Sequence, residues 1–202
     1  MINKEAREAI LRYWFGEDAN DVVIAQRQAA LWWSKNAAVD REMRERFASL
    51  LPPPDAAPPV LPGAAPRERL AAIILLDQFP RNIHRGRPEA FAWDALAQQQ
   101  ARAAFALGDE AVLRPIERVF LYLPLEHAED IELQELSVQR FASLAGAVPT
   151  RAREVFDGYY DYALRHRDII RRFGRFPHRN VILGRASTPE EAEFLQQPGS
   201  SF

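Results

Sequence analysis

Three short segments of this chain hold most of the side chains equipped for chemistry. The first runs Asp77-Gln78-Phe79-Pro80-Arg81-Asn82-Ile83-His84-Arg85-Gly86. The second is Leu123-Pro124-Leu125-Glu126-His127-Ala128-Glu129-Asp130, and the third spans Arg165 to Asn180. All four histidines, His84, His127, His166 and His178, fall within them. Imidazole, carboxylate and guanidinium groups together can transfer protons, ligate a metal or hold an anion.

Asp77 follows Leu70 and Ile73 at helical spacing, which predicts that it is buried. A buried carboxylate needs a hydrogen-bonded or charged partner, and Arg81, one turn on, is the first in line. The pair serves equally as a structural lock on a helix end. In the second segment Glu126 and Asp130 are four residues apart, and His127 and Asp130 three, so one helix face can carry them. Glu126, His127, Asp130 and, from the third segment, His166 are the catalytic candidates. They fit acid–base work or a divalent metal, although no HExxH or other strict ligand spacing is present. The plainer reading is an acidic first turn at a helix N-terminus, and it suits Glu129 best.

Between Arg165 and Arg185 there are seven arginines and one acid, Asp168. They either neutralise Asp77, Glu126 and Asp130 or leave a positive pocket for a phosphate or carboxylate. His166 lies on an apolar stripe with Tyr159, Tyr162, Ala163, Ile170 and Phe173, which directs it to the core or to a cleft. The ligand-binding candidates are Asp77, Arg81, Asn82, His84, His166, Arg167, Arg175, His178, Arg179 and Asn180, with Tyr159, Tyr162, Phe173 and Phe176 as walls.

The elements that position these segments read as helices. Ala6, Ile10, Leu11, Trp14 and Phe15 form a first apolar stripe, and further helices are predicted from about Val22 to Trp33 and Val39 to Leu50. Leu51 to Pro66 holds seven prolines and reads as an extended connection. A buried helix from Arg67 to Phe79 is expected to end at Pro80. Pro88 opens a helix to about Leu107, and Pro115 opens one that Pro124 closes. Ala128 to Leu144 and Pro149 to Phe173 follow. Thr188-Pro189-Glu190-Glu191 is a capping-box start for a short last helix. About eight or nine antiparallel helices result, in one domain spanning 1–202.

The 202 residues are 48% hydrophobic and 27% charged, enough for a sizeable core. A formal charge of −2 argues against nucleic acid as a partner. There is no cysteine, hence no thiolate metal site or cysteine nucleophile, which fits a reducing cytoplasm. Charges interrupt the first fifteen residues, so they do not read as a signal peptide, and no apolar run is long enough for a membrane span. No Rossmann fingerprint, phosphate loop or nucleophile elbow occurs, so no cofactor is expected.

The stretches LDQFPRNIHRG, FLYLPLEHAED, HRDIIRRFGRFPHRN and ILGRASTPEE, with YWFGE and WWSKN near the start, resemble the bacterial family known as domain of unknown function 924. The resemblance spans nearly the whole chain and is weakest in the proline-rich connection. It implies an all-α, tetratricopeptide-like stack and no established activity, substrate or cofactor. The matching positions include Asp77, Arg81, Asn82, Glu126, His127, Asp130, His166, Arg167, Asp168, Arg175, Pro177, His178, Arg179 and Asn180. Three expectations follow for the polar segments. They bind a small anionic ligand or acidic peptide in a cleft, they form a hydrolytic Glu/His/Asp cluster, or they are a structural salt-bridge network, with a protein partner engaged elsewhere.

Overall fold

The computed structural model describes residues 3–56 and 64–201. Nine α-helices and no strand occur among the described residues: α1 Lys4–Phe15, α2 Asp21–Trp33, α3 Ala37–Phe47, α4 Pro66–Ile83, α5 Asp94–Ala106, α6 Pro115–Glu126, α7 Ile131–Ala147, α8 Thr150–Phe173 and α9 Pro189–Phe194. Short 3₁₀ turns cover Ala48–Leu50, Pro88–Phe91, Asp109–Ala111 and Pro177–Arg179. No helix among the described residues is long and apolar enough to cross a membrane. Of the proline-rich connection, Pro58, Pro59, Pro62 and Gly63 lie outside the described residues.

Local chemistry starts these helices where the sequence predicts. The side chains of Asn3, Asn20 and Asn36 accept the orphan N–H groups at the starts of α1, α2 and α3. Thr188 and Glu191 form the reciprocal box that opens α9. α4 and α6 each begin at proline, and Glu68 and Glu117 accept the N–H of the preceding residue at 3.0 Å.

Two expectations are corrected. Pro80 does not end α4 and Pro124 does not end α6; both helices continue to Ile83 and Glu126. Proline inside a helix removes one hydrogen bond and costs about 3 kcal/mol. Burial offsets that cost here. Phe79 and Ile83 after the apolar run of α4, and Leu125 in α6, are almost wholly enclosed. Each such side chain contributes roughly 1.5–3 kcal/mol. The predicted helix from Pro88 divides into a 3₁₀ turn and α5, and that break sets Phe91 and Asp94 beside the end of α4.

α4 packs against α1, α3, α5 and α6, while α6 also meets α2, α7 and α8. These two helices are buried on nearly every face. Their direction follows from two contacts: Arg67 joins Glu117 at 2.8 Å near their N-termini, and Asp77 joins His127 at 2.8 Å near their C-termini. They therefore run parallel, in register at both ends. Aromatic residues Trp14, Trp32, Phe47, Phe79 and Phe120 fill the space between them and the first three helices. Three of the four tryptophans are buried, as expected of core residues; Trp33 is half exposed and lies over Phe120 and Tyr159.

Candidate functional site

The register of α4 and α6 brings the first two polar segments together, and α8 with the turn after it adds the third. Asp77 on α4 is 1% exposed and accepts from His127 Nδ1 at 2.8 Å. Gln78 also donates to Asp77, and Arg81 Nη1 stands 3.5 Å away. Arg81 donates to the Asp77 carbonyl at 2.6 Å and forks onto Asp94 at 2.8 and 3.1 Å. Arg179, in the 3₁₀ turn after α8, reaches Asp94 at 3.4 Å. Its guanidinium carbon lies 4.7 Å from the centre of the Phe91 ring and 4.5 Å from that of Phe176. His166 on α8 faces Phe176 edge-on and lies 6.2 Å, centre to centre, from His127.

Protonation follows from this geometry. Burial pushes the Asp77 carboxyl up, but His127, Arg81 and the hydrogen bonds outweigh it and hold Asp77 down at about 2. Burial is also the largest influence on His127; with Arg81 beside it, it outweighs the pull of Asp77 and lowers the imidazole below its usual range. Asp77 is therefore ionised and His127 neutral at neutral pH. An ionised carboxylate only accepts, so the His127 proton sits on Nδ1, and Nε2 carries a lone pair. Nε2 has no hydrogen-bond partner among the described residues, and 14% of the side chain is exposed.

Glu126 is the opposite case. Burial first, and the charge of Asp77 second, raise its carboxyl well above the ordinary range. Its Oε1 is 3.2 Å from His166 Nδ1, while Oε2 is buried without a hydrogen-bond partner. His166 Nδ1 donates to the Tyr162 carbonyl at 2.8 Å, so this nitrogen carries the hydrogen. Burial, then the neighbouring His127, keeps His166 neutral. His178 is lowered to about 4, by burial and then by Arg179.

Arg179 is 6% exposed, and its Nε is buried with no hydrogen-bond partner. Burial, followed by repulsion from Arg81, lowers it to about 10 despite Asp94. It remains a cation at neutral pH, but a poorly paired one.

The other candidates are engaged outside this cluster. Asn82 donates to Asp40, which also receives Arg85. His84 stacks on Trp93. Arg167 pairs with Asp168, and Arg175 forks onto Glu191 at 2.7 and 2.8 Å. Asn180 donates to Ser187 and Glu191. The helical spacing read for Asp130 does not hold, because α6 ends at Glu126 and Asp130 instead caps α7, accepting from Glu132 and Leu133. Glu129 takes the Phe176 N–H and the fork of Arg185. Among the described residues no group of three or more His, Cys, Asp or Glu side chains is placed to hold a metal ion.

Asp94 and Phe91 were not singled out in the sequence. Asp94 is a lone acid in the first turn of α5 among apolar neighbours, and a partly buried acid there requires a cation from elsewhere. Two surface depressions lie apart from the cluster: about 100 Å3 beside Gly16 and Gln28, and about 260 Å3 beside Arg172 and Phe194.

The model of a family described as bacterial protein of unknown function, DUF924, matches residues 10–199. A solved structure of a protein of unknown function from Agrobacterium tumefaciens is similar at 33% identity. That match covers 95% of this chain and 97% of the other, with a TM-score of 0.74. No curated protein matches the chain.

Proposed function

The chain belongs to the DUF924 family of bacterial proteins, whose function is unknown, and from the geometry of the polar cluster we propose that it binds a small anion, a carboxylate or a phosphate, on Arg179. The observation that carries this is the condition of that guanidinium. It is fixed between two rings, more than nine-tenths buried, and holds one long bond for five N–H donors. Asp94 already receives the fork of Arg81 and gives Arg179 only a remainder. A planar cation clamped by aromatic faces keeps its edge for an acceptor, and a bidentate anion fits that edge. Arg81, itself partly exposed, shares Asp94 with Arg179.

Calorimetric titration with acetate and inorganic phosphate tests the reading at low ionic strength. Saturable binding that Arg179→Met weakens at least tenfold, with thermal stability retained or raised, is the expected result. Two outcomes oppose it: no binding of either anion, or binding that Arg179→Met leaves unchanged. A large loss of stability in Arg179→Met, with no anion bound by the parent protein, would favour a structural network instead.

A further inference from the structure

We propose that His127 is a catalytic nucleophile, with Asp77 as its positioning residue: Nε2 takes an acyl group from an activated ester and passes it to water. Arg179 has no part in this reaction, which proceeds whether or not that guanidinium holds an anion.

Both side chains stand on helices that are buried on nearly every face. Asp77 lies in α4, and His127 closes α6, its backbone N–H donating to the Leu123 carbonyl at 2.9 Å. The enclosed Asp77 carboxylate takes the Nδ1 hydrogen at 2.8 Å and leaves the lone pair on Nε2, across the ring. Asp94 draws the fork of Arg81 and leaves Asp77 only a 3.5 Å ion pair with it, so His127 keeps the shorter bond. Nε2 has no hydrogen-bond partner among the described residues. Burial seals the unbonded atoms Glu126 Oε2 and Arg179 Nε but not this one, and 14% of the His127 side chain is exposed. The His166 ring stands to one side, 6.2 Å centre to centre, with its Nδ1 hydrogen on the Tyr162 carbonyl. A lock between α4 and α6 requires only the Nδ1 bond. An imidazole with a carboxylate behind it and its other nitrogen open to solvent is an activated nucleophile.

In the reaction the Nε2 lone pair bonds to the carbonyl carbon, and the ester C–O bond breaks with its electron pair on the departing oxygen. The ring, substituted on both nitrogens, is then a cation against the Asp77 carboxylate. Water adds to the acyl carbon, the C–N bond breaks with its pair returning to Nε2, one water proton passes to solvent and the acid leaves. Glu126, the neighbouring acid, is sealed by burial and hands no proton to the leaving group. The substrate class is therefore acyl compounds whose leaving group departs as a stable anion, such as aryl esters.

The probe is p-nitrophenyl acetate, given to the whole protein at one pH near 7.5. Release of p-nitrophenolate about tenfold faster than by the same concentration of N-acetylhistidine is expected, the difference made by one hydrogen bond to a charged partner. His127→Gln, which keeps a donor for Asp77, brings the rate to background. His84→Gln, at the histidine stacked on Trp93, leaves it unchanged. Rapid-quench mass spectrometry finds the acetyl group on His127. Nitrogen-15 NMR of the parent protein reads a hydrogen on Nδ1 and a bare Nε2 in His127. In Asp77→Asn the new amide can donate to Nδ1, so the hydrogen moves to Nε2 and the rate falls to background. A merely structural role for Asp77 shifts a melting temperature and not a tautomer. Should Asp77→Asn not fold, the parent spectrum and His127→Gln still decide. Release no faster than by N-acetylhistidine overturns the inference, as does an unchanged rate in His127→Gln or a hydrogen on Nε2 in the parent protein. None of these results bears on anion binding at Arg179.

Discussion

Replacing Glu126 by Gln tests the electrostatics of the cluster without altering its shape. Gln copies the outline of a protonated glutamic acid and cannot ionise. In the folded protein, burial and the charge of Asp77 raise the Glu126 carboxyl above its unfolded value of 4.5. The sign is then fixed. A raised carboxyl contributes stability that is fully present below pH 4.5 and is lost as pH rises through the folded value. Each pH unit of displacement is worth about 1.4 kcal/mol, or about 3–6 °C of melting temperature for a domain of this size. Glu126→Gln removes that loss. The expected result is a melting curve close to that of the parent protein at pH 4.5, and a growing advantage for the variant as pH rises to 8. Thermal unfolding followed by circular dichroism across that range measures it. The opposite assignment has Glu126 ionised and paired with a protonated His166, 3.2 Å away. Breaking such a buried pair costs about 3–5 kcal/mol. A variant less stable than its parent at pH 8, or a difference that does not change with pH, would refute the reasoning.

Three further outcomes are expected. Asp77→Asn leaves two guanidinium groups facing the single carboxylate of Asp94, and urea titration should show a loss of about 3–5 kcal/mol. Combining it with Arg81→Gln should cost clearly less than the sum of the two single changes. His178, with its folded pKa at about 4 against 6.5 unfolded, stays neutral in the fold, so stability should fall as pH drops from 6.5 toward 4, by up to about 3 kcal/mol from this group. His178→Gln should flatten that limb. Arg175→Ala frees Glu191, the residue that Arg175 holds at about 2 and that closes the cap of α9. Hydrogen exchange should speed up at Glu191 to Leu195 and remain slow in α4 and α6.

The parts of the site that were legible in the sequence are those where burial and polarity conflict locally. Asp77 at the end of an apolar run and His166 on an apolar stripe announced themselves in this way, and both are buried. The all-helical architecture was equally legible, from apolar periodicity, from the prolines that open helices and from the Thr188–Glu191 box; the Asn caps of the first three helices went unread. What escaped depends on partners distant in the chain. Asp94 shows nothing unusual until Arg81 and Arg179 are placed on it. Pro80 and Pro124 read as helix ends because propensity is local, whereas the burial that carries α4 and α6 past them is not. Asp130, Asn82 and Arg175 sit beside site residues in sequence, yet Asp130 caps the helix it opens and the other two are engaged by residues of other elements. Sequence adjacency to a functional segment is a poor guide to side-chain direction, since adjacent residues on a helix face different neighbours.

Asp94 and Arg179 are 85 residues apart, and they meet in the cluster that also holds Asp77 and His127, 50 residues apart. A ribosome adding ~5–20 residues per second takes roughly 4–17 s to make the intervening chain. By the end of that interval α4, α5, α6 and α7 have all been made, and Arg179 has not. Arg81 is then the cation available to Asp94 from this group, so the fork between them can form first and orient the carboxylate. Arg179 is the last of this group to be made. The order of synthesis thus matches the order of bond quality, and the side chain that arrives late is the one left with donors to spare.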